Sequence, residues 1–516
     1  MSRLVPFFAT AVIGAASMAA VQQPAFDILI RNGRVLDGSG NPWVRADVGI
    51  RGDRIAAVGR LSGATAATIV DAKDRFVAPG FMDAHSHAVG ALGSPNLREA
   101  RALLAQGLTL VIGNPDGGGP VDLRAQMESL TAAGPGVNVA LAIGHASVRR
   151  AVLGATQRRD PTPEELEKMR ALVRQGRADG AFGLSSGLFY QPGRFAKTEE
   201  VIALAREAGG VYTSHIRDEG NYDFGVVNSV NEVIRIAEEA GVRGIVSHMK
   251  CLGPDSWGVS KTLVANIDAA RARGVEVFAD QYPYEASSTS LQAATMPDDG
   301  AASAKEAMAN DAAKVKFLAM VKENIRKRGG PASIVMSSGR GGLSGQSLEQ
   351  IAKSRGITPE QAAVDLVMTG GMSIISFNMD EDDIATIMRQ PWTMGSSDGD
   401  LVAPSATQSH PRNNGAMARR ISRYVRDRPT VSLEHAIRSM TSLPAHVFGI
   451  EDRGEIRPGA FADIVVFDLA KVQDKATYQS PHEMSEGFDW VIVNGQIARQ
   501  EGTFTGVRAG KILKKQ

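Results

Sequence analysis

The stretch Phe81-Met-Asp-Ala-His-Ser-His87 follows a strand-like run, Arg75-Phe-Val-Ala-Pro-Gly80. His85 and His87 are two residues apart, so on an extended backbone both imidazoles leave one face. Two neighbouring imidazoles suit a borderline cation such as Zn²⁺. A pair of surface histidines at a strand end is the competing reading. The pattern of the remaining chain separates the two.

Outward from this stretch, the middle of the chain alternates. Strand-like runs include Thr109–Ile112, Val137–Ile143, Gly210–Thr213, Gly244–Ser247, Val275–Ala279, Ser333–Met336 and Thr393–Gly395. Helical patterns with charged faces lie between several of them: Pro163–Arg177, Glu199–Ala208, Val227–Ala240 and Ser260–Arg273. Sustained strand–helix alternation predicts an α/β fold with a parallel sheet closed as a TIM-like (β/α)8 barrel over residues 80–448. One segment breaks the rhythm. Residues 286–340 run polar and Ala-rich with a helix expected over Ser303–Arg328, and read as an insertion forming a lid over the barrel mouth.

The two ends share a different texture. Asp27-Ile-Leu-Ile-Arg-Asn-Gly33 reads as a strand closing on an Asn-Gly turn, with Arg34–Asp37 resuming it; Ala46–Ile50, Arg54–Val58 and Thr68–Asp71 follow. Ala462–Asp468 and Trp490-Val-Ile-Val-Asn-Gly495 echo them near the C-terminus. Residues 26–79 and 449–510 are therefore expected to build one small β-sandwich domain.

In a parallel barrel, chemistry sits where the strands end. Five of the nine histidines (His85, His87, His145, His215 and His248) fall directly after strand-like runs, as does Asp398 in Ser396-Ser-Asp398. His85, His87, His215, His248 and Asp398 would converge at the mouth. Four neutral imidazoles and a carboxylate bind one or two divalent ions, which lower the pKa of water and polarise a carbonyl. Asp398 is then placed to take the attacking water's proton and pass it to a leaving nitrogen. Taken singly, each histidine reads equally well as a hydrogen-bonded core or loop residue.

Composition narrows the class. Across 516 residues, 57 Lys+Arg balance 56 Asp+Glu, which gives no pull toward nucleic acid or an acidic membrane. Cys251 is the single cysteine, so an intramolecular disulfide and a Cys-rich zinc cluster are excluded. Arg3, the apolar run Leu4–Ala16 and the small residues Ser17-Met-Ala19 read as a signal peptide over residues 1–19. The expectation is an exported, periplasmic protein without a membrane span in its mature part; a buried N-terminal helix is the alternative.

These motifs together resemble the N-acyl-D-amino-acid deacylase (D-aminoacylase) family of the metal-dependent amidohydrolase superfamily. The resemblance covers nearly the whole chain after the leader. It rests on Pro79–His87, Gly187-Leu-Phe-Tyr-Gln-Pro192, Ser214-His-Ile-Arg-Asp-Glu-Gly220, Ser247-His-Met-Lys250, Asp280-Gln-Tyr-Pro-Tyr284, Gly395–Asp398, His410-Pro-Arg412 and the terminal Arg457–Val465. The resemblance implies His85 and His87 as buried metal ligands, His215 and His248 as ligands of a second site, and Asp398 as base and ligand. It implies that Arg412 grips a substrate carboxylate, a task suited to a guanidinium fork. A tyrosine of the Tyr282–Tyr284 pair, preferably Tyr284, would steady the oxyanion. Tyr190 would line the carboxylate pocket, and Lys250 would touch substrate or support a ligand. Zn²⁺ and a small-molecule substrate with a free carboxylate follow as cofactor and partner; a homo-oligomer is compatible.

The chain departs from the family at one turn. Where the family has Gly-Asn-Cys-Gly, with the cysteine on metal, this chain reads Gly113-Asn-Pro-Asp-Gly117. Pro115 cannot ligate, and Asp116 is the expected replacement; a carboxylate favours harder ions than a thiolate does. The leading expectation is hydrolysis of the amide of N-acyl-D-amino acids. A dipeptidase or another hydrolase of an amide beside a free carboxylate is the alternative, and a non-catalytic barrel scaffold is a third.

Overall fold

The computed structural model describes residues 25–297, 301–337, 342–404 and 409–515. The expected signal peptide lies outside the described residues. No helix among those described is long and apolar enough to cross a membrane.

The seam between the chain's two ends positions everything else. Phe76–Pro79 pairs antiparallel with Ile464–Phe467, register Ile464 to Pro79, inside one nine-stranded sheet. On one side of that seam the sheet continues through Phe26–Val35, Val44–Arg51 and Arg54–Gly59, with Ala66–Asp71 also on Phe26–Val35; on the other it runs through Phe488–Val493, Gln496–Gln500 and Thr503–Phe504. Ile28, Ile30, Val48, Ile50, Ile464, Val466, Trp490 and Ile492 share a core of their own. Burial of these alternate residues is what makes the strands pair.

The two Asn-Gly pairs behave differently. Asn494 and Gly495, at φ 47° and 74°, turn a hairpin between Phe488–Val493 and Gln496–Gln500. Asn32-Gly33, expected to turn, instead forms a bulge in the continuous strand Phe26–Val35, where the register to Val44–Arg51 shifts. A β-carbon at Gly33 would lie 2.5 Å from Val77 Cγ2. Pairing on both sides of the bulge to the same neighbour overrides the local turn preference.

Pro79 leads through Gly80 into the parallel part. Phe81–Asp83, Leu108–Gly113 and Asn138–Leu141 form one parallel set. Ile143–Gly144, Gly183–Gly187, Val211–His215, Arg243–Val246, Val277–Gln281 and Thr393–Gly395 form the second. One stretch of chain, interrupted only at Ala142, supplies a strand to each. At the opposite side, Ser86 bridges Gly399 in parallel and the Ala84 amide donates to Gly395 O at 3.4 Å. Helices Pro163–Asp179, Thr198–Ala208, Val226–Ala240 and Ser260–Ala272 connect successive strands, within two residues of their expected bounds. The first opens on a capping box between Thr162 and Glu165.

The inserted segment is a small layered unit with its own core, including Phe317, Val321, Ile334, Leu348, Val364 and Ile374. Its antiparallel sheet runs Ala286–Ser290, Ser373–Phe377, Ile334–Met336. The insertion thus extends to Phe377 rather than ending at residue 340, and Ser333–Met336 belongs to it rather than to the parallel alternation. The helix expected over Ser303–Arg328 is two, Ala301–Met308 and Asp311–Lys327. The Asn310 side chain caps the second by accepting from the Ala313 amide at 3.0 Å.

Candidate metal centre

Six strand-end side chains meet. Asp116 stands at their middle: its Oδ1 is 3.4 Å from His85 Nε2, 3.7 Å from His248 Nε2 and 3.8 Å from His215 Nδ1. Its Oδ2 is 3.4 Å from His87 Nε2. Asp398 Oδ1 lies 3.3 Å from His87 Nε2 and 3.6 Å from His85 Nε2. Two potential ligand sets result, His85–His87–Asp116–Asp398 and Asp116–His215–His248, and Asp116 is common to both. The residue expected to replace the missing cysteine therefore belongs to both potential ligand sets.

The backbone at this site is strained. Asp116, His248 and Asp398 hold left-handed φ values of 55°, 35° and 49°, as does Asn114 at 59°. Residues with a β-carbon occupy that region at a cost met by surrounding structure. Part of that structure is a pair of buried carboxylates behind the ligands. Asp83 Oδ1 accepts from the Ser397 amide at 2.8 Å and the His85 amide at 3.3 Å. Asp280 Oδ1 accepts from the His248 amide at 2.9 Å. Burial pushes Asp83 up to about 7 and Asp280 up to about 6.

The electrostatics fit a cation. Burial holds His85 down at about 3 and His215 at about 4. Burial also opposes charge on His87, but its bonds to Asp116 and Asp398 prevail and raise it to about 10. Desolvation disfavours the Asp116 and Asp398 carboxylates, yet their charged neighbours hold both well below the usual range. Among the described residues, the buried His85 Nε2, Asp116 Oδ1 and both His215 nitrogens find no hydrogen-bond partner. Each such orphan costs about 1–3 kcal/mol. Imidazoles mixed with carboxylates suit a borderline or hard divalent ion, so the residues present fit a metal.

A cavity of about 410 Å³ opens on this cluster. Arg412 Nη1 donates to Asp398 Oδ2 at 2.7 Å. Its amide donates to His410 Nδ1 at 3.0 Å, while His410 Nε2 lies 2.9 Å from Ala286 O, so that histidine orients Arg412. Tyr190 packs tilted against His215, centroids 4.6 Å apart at an interplanar angle of 55°, and its hydroxyl meets Thr289 Oγ1 at 3.2 Å. Lys250 also lines the cavity and is bound closely to Glu219.

The tyrosine preference is overturned. Tyr284 does not line the cavity: its hydroxyl donates to Pro411 O at 3.4 Å and its ring packs on Arg419 and His410. Tyr282 does line it, with its hydroxyl buried and unpartnered and Arg412 4.8 Å from its ring. The strand ends at Gln281 and the chain bends at Pro283, so the two rings part instead of sharing a face. His145, the fifth strand-end histidine, stands outside the centre, its Nε2 2.9 Å from Glu200 Oε1.

Four contributors escaped the sequence reading. Glu219 Oε1 lies 2.9 Å from His248 Nδ1 and also binds Lys250, whose Nζ lies 2.8 Å from the same nitrogen, so the two side chains hold that ring edge while Nε2 faces the centre. Its spacing four residues after His215, inside an already quoted motif, was the available signal. Asp280 opens another quoted motif at a strand end. Arg328 and its partner Tyr222 line the cavity with no signal in the linear chain.

Residues 68–499 match the model of the amidohydrolase family. The chain belongs to that family. Among curated relatives of this amidohydrolase, D-aminoacylase of Alcaligenes xylosoxydans xylosoxydans is 36% identical over 95% of this chain and 98% of its own. N-acyl-D-glutamate deacylase of the same organism is 37% identical over 96% and 97%. Among solved structures, N-acyl-D-glutamate deacylase from Bordetella bronchiseptica superposes with a TM-score of 0.80 at 34% identity, covering 95% of this chain and 99% of that one. That protein was crystallised with zinc and a phosphonate inhibitor mimicking the tetrahedral intermediate of its reaction.

Proposed function

We propose that this amidohydrolase cleaves the amide bond of N-acyl-D-amino acids, releasing a carboxylate and a free D-amino acid. The observation that carries the reading is the pairing of Asp398 with Arg412 at 2.7 Å on the rim of a His/Asp cluster. It places a proton acceptor beside a receptor for the substrate's free carboxylate.

His85, His87, Asp116, His215, His248 and Asp398 would hold Zn²⁺ or a similar divalent ion, which would supply Lewis acidity and lower the pKa of water. The chain's own groups do the rest. Arg412 exchanges its bond to Asp398 for the substrate α-carboxylate, which frees Asp398 Oδ2 to accept a proton. Asp398 then returns that proton to the leaving nitrogen. The unpartnered Tyr282 hydroxyl donates to the oxyanion as charge develops there. Tyr190 closes the side of the pocket against His215.

We read the two parallel sets as one closed (β/α)8 barrel; the shared stretch at Ala142 and the Ser86–Gly399 bridge support closure on both sides. On this reading residues 26–79 and 449–510 form the small β domain, folded over its own core, and the insertion covers the mouth as a lid. The leader-like first 19 residues support export to the periplasm.

Amine release from paired N-acetyl-D- and N-acetyl-L-amino acids, with the Zn²⁺-loaded protein, tests the function. Turnover confined to D substrates is expected. Turnover confined to L substrates or to dipeptides would replace this reading with that of a different amidase.

A further inference from the structure

The lid helix Asp311–Lys327 ends on Arg328, which is 3% exposed and lines the cavity. Every hydrogen bond of its guanidinium goes to a neutral hydroxyl: Nε to Ser376 Oγ at 3.1 Å, Nη1 to Tyr222 OH at 3.1 Å and Nη2 to Ser287 Oγ at 3.3 Å. The other two cations of the cavity are neutralised, Arg412 by Asp398 and Lys250 by Glu219. Among the described residues, Arg328 faces no carboxylate. A guanidinium cannot shed its proton, so among the described residues this charge is held in the wall without a paired carboxylate, an arrangement that burial penalises.

The surroundings are suited to an anion. Tyr222 OH accepts from Arg328 and keeps its own proton to donate. Ser288, Thr289, Ser290 and Ser373 add further hydroxyls to the cavity, and among the described lining residues only Phe189 and Leu252 have wholly apolar side chains. A pocket built for an apolar side chain has the opposite lining. Arg412 already answers the α-carboxylate, so Arg328 is left over for a second negative group.

We propose that Arg328 and Tyr222 form a receptor for a second carboxylate, so that the substrates are dianionic N-acyl-D-amino acids. This rests on the deacylase reading above. The second carboxylate comes either from an acidic amino-acid side chain or from a dicarboxylic acyl group. The near-equal identities to D-aminoacylase and N-acyl-D-glutamate deacylase do not separate these substrates from neutral ones.

The test compares kcat/KM for N-acetyl-D-glutamate, N-succinyl-D-leucine and N-acetyl-D-leucine in wild type, Arg328→Met and Arg328→Lys. Wild type should favour at least one dianion over N-acetyl-D-leucine, and which one identifies the source of the charge. Arg328→Met should lose about 10- to 100-fold on that dianion, the worth of a charge-assisted hydrogen bond, and little on N-acetyl-D-leucine. Arg328→Lys should recover part of the preference. A wild-type preference for the neutral substrate, or an equal loss on all substrates in Arg328→Met, overturns the receptor while leaving the deacylase reading intact. Calorimetric binding of D-glutamate against D-leucine reads Arg328 apart from turnover if no substrate of the panel is cleaved. Equal affinities there also overturn it for side-chain carboxylates, and equal affinities for succinate and acetate do so for the acyl group.

Discussion

Replacing Asp398 by Asn removes one negative charge and one proton-accepting oxygen at nearly constant volume. In the structure Asp398 Oδ2 holds Arg412 at 2.7 Å, while Oδ1 is 3.3 Å from His87 and 3.6 Å from His85. A positioned general base contributes roughly 10²- to 10⁴-fold, which is about 2.7–5.5 kcal/mol of barrier at ~1.36 kcal/mol per decade. The same change strands the buried Arg412 without its counter-ion. Breaking a buried pair from one side costs ~3–5 kcal/mol, and the open cavity beside this pair places the expected loss at the lower end. Initial rates of amine release by the Zn²⁺-loaded variant, its ion content by atomic emission, and its urea midpoint separate these effects. The expected result is a collapse of kcat with KM shifted far less, in a folded protein that still carries metal. Retention of more than about a tenth of wild-type kcat would refute Asp398 as the base.

Asp116→Asn should lower ion affinity by roughly 100-fold or more, since the lost carboxylate touches both ligand sets, whereas Asp116→Cys should retain binding and shift preference toward softer ions. Competition between Zn²⁺ and Mn²⁺, followed by equilibrium dialysis, checks both variants; wild-type affinity in Asp116→Asn would exclude a bridging role. Tyr282→Phe should cost kcat about 10²-fold, while Tyr284→Phe should leave kcat near wild type and lower stability by only ~0.5–1.5 kcal/mol. Side-by-side kinetics with urea unfolding measure the contrast, and the reverse order would restore Tyr284 to the site. Asp463→Ala should destabilise the seam by ~3–5 kcal/mol because Arg453, 1% exposed at its side chain, loses its close carboxylate partner. A urea midpoint indistinguishable from wild type would show that the Asn494 carbonyl, 2.7 Å from Arg453, suffices alone.

Much of the site was legible because strand ends are legible. A strand is a short local pattern, and the residue after it is placed by the strand itself. His85, His87, His215, His248 and Asp398 were found this way, and the structure brings all five within one cluster. Asp116 came from the family resemblance, as the residue able to ligate where the family's turn carries a cysteine. The choice of Tyr284 over Tyr282 failed, because the two rings diverge at a bend beyond the strand, where no periodicity applies.

By itself the sequence determined the strand–helix alternation, the β character of both termini and the metal-binding chemistry, since each is written in neighbouring residues. The tertiary structure alone decided that Asn32-Gly33 bulges instead of turning, that the insertion runs on to Phe377, and that Asp116 reaches both ligand sets. It also decided that Arg328, more than two hundred residues from His85 in sequence, faces the same cavity. Backbone periodicity is a short-range property of the chain. Side-chain direction beyond a strand end, and contact between distant segments, depend on how loops pack against everything else.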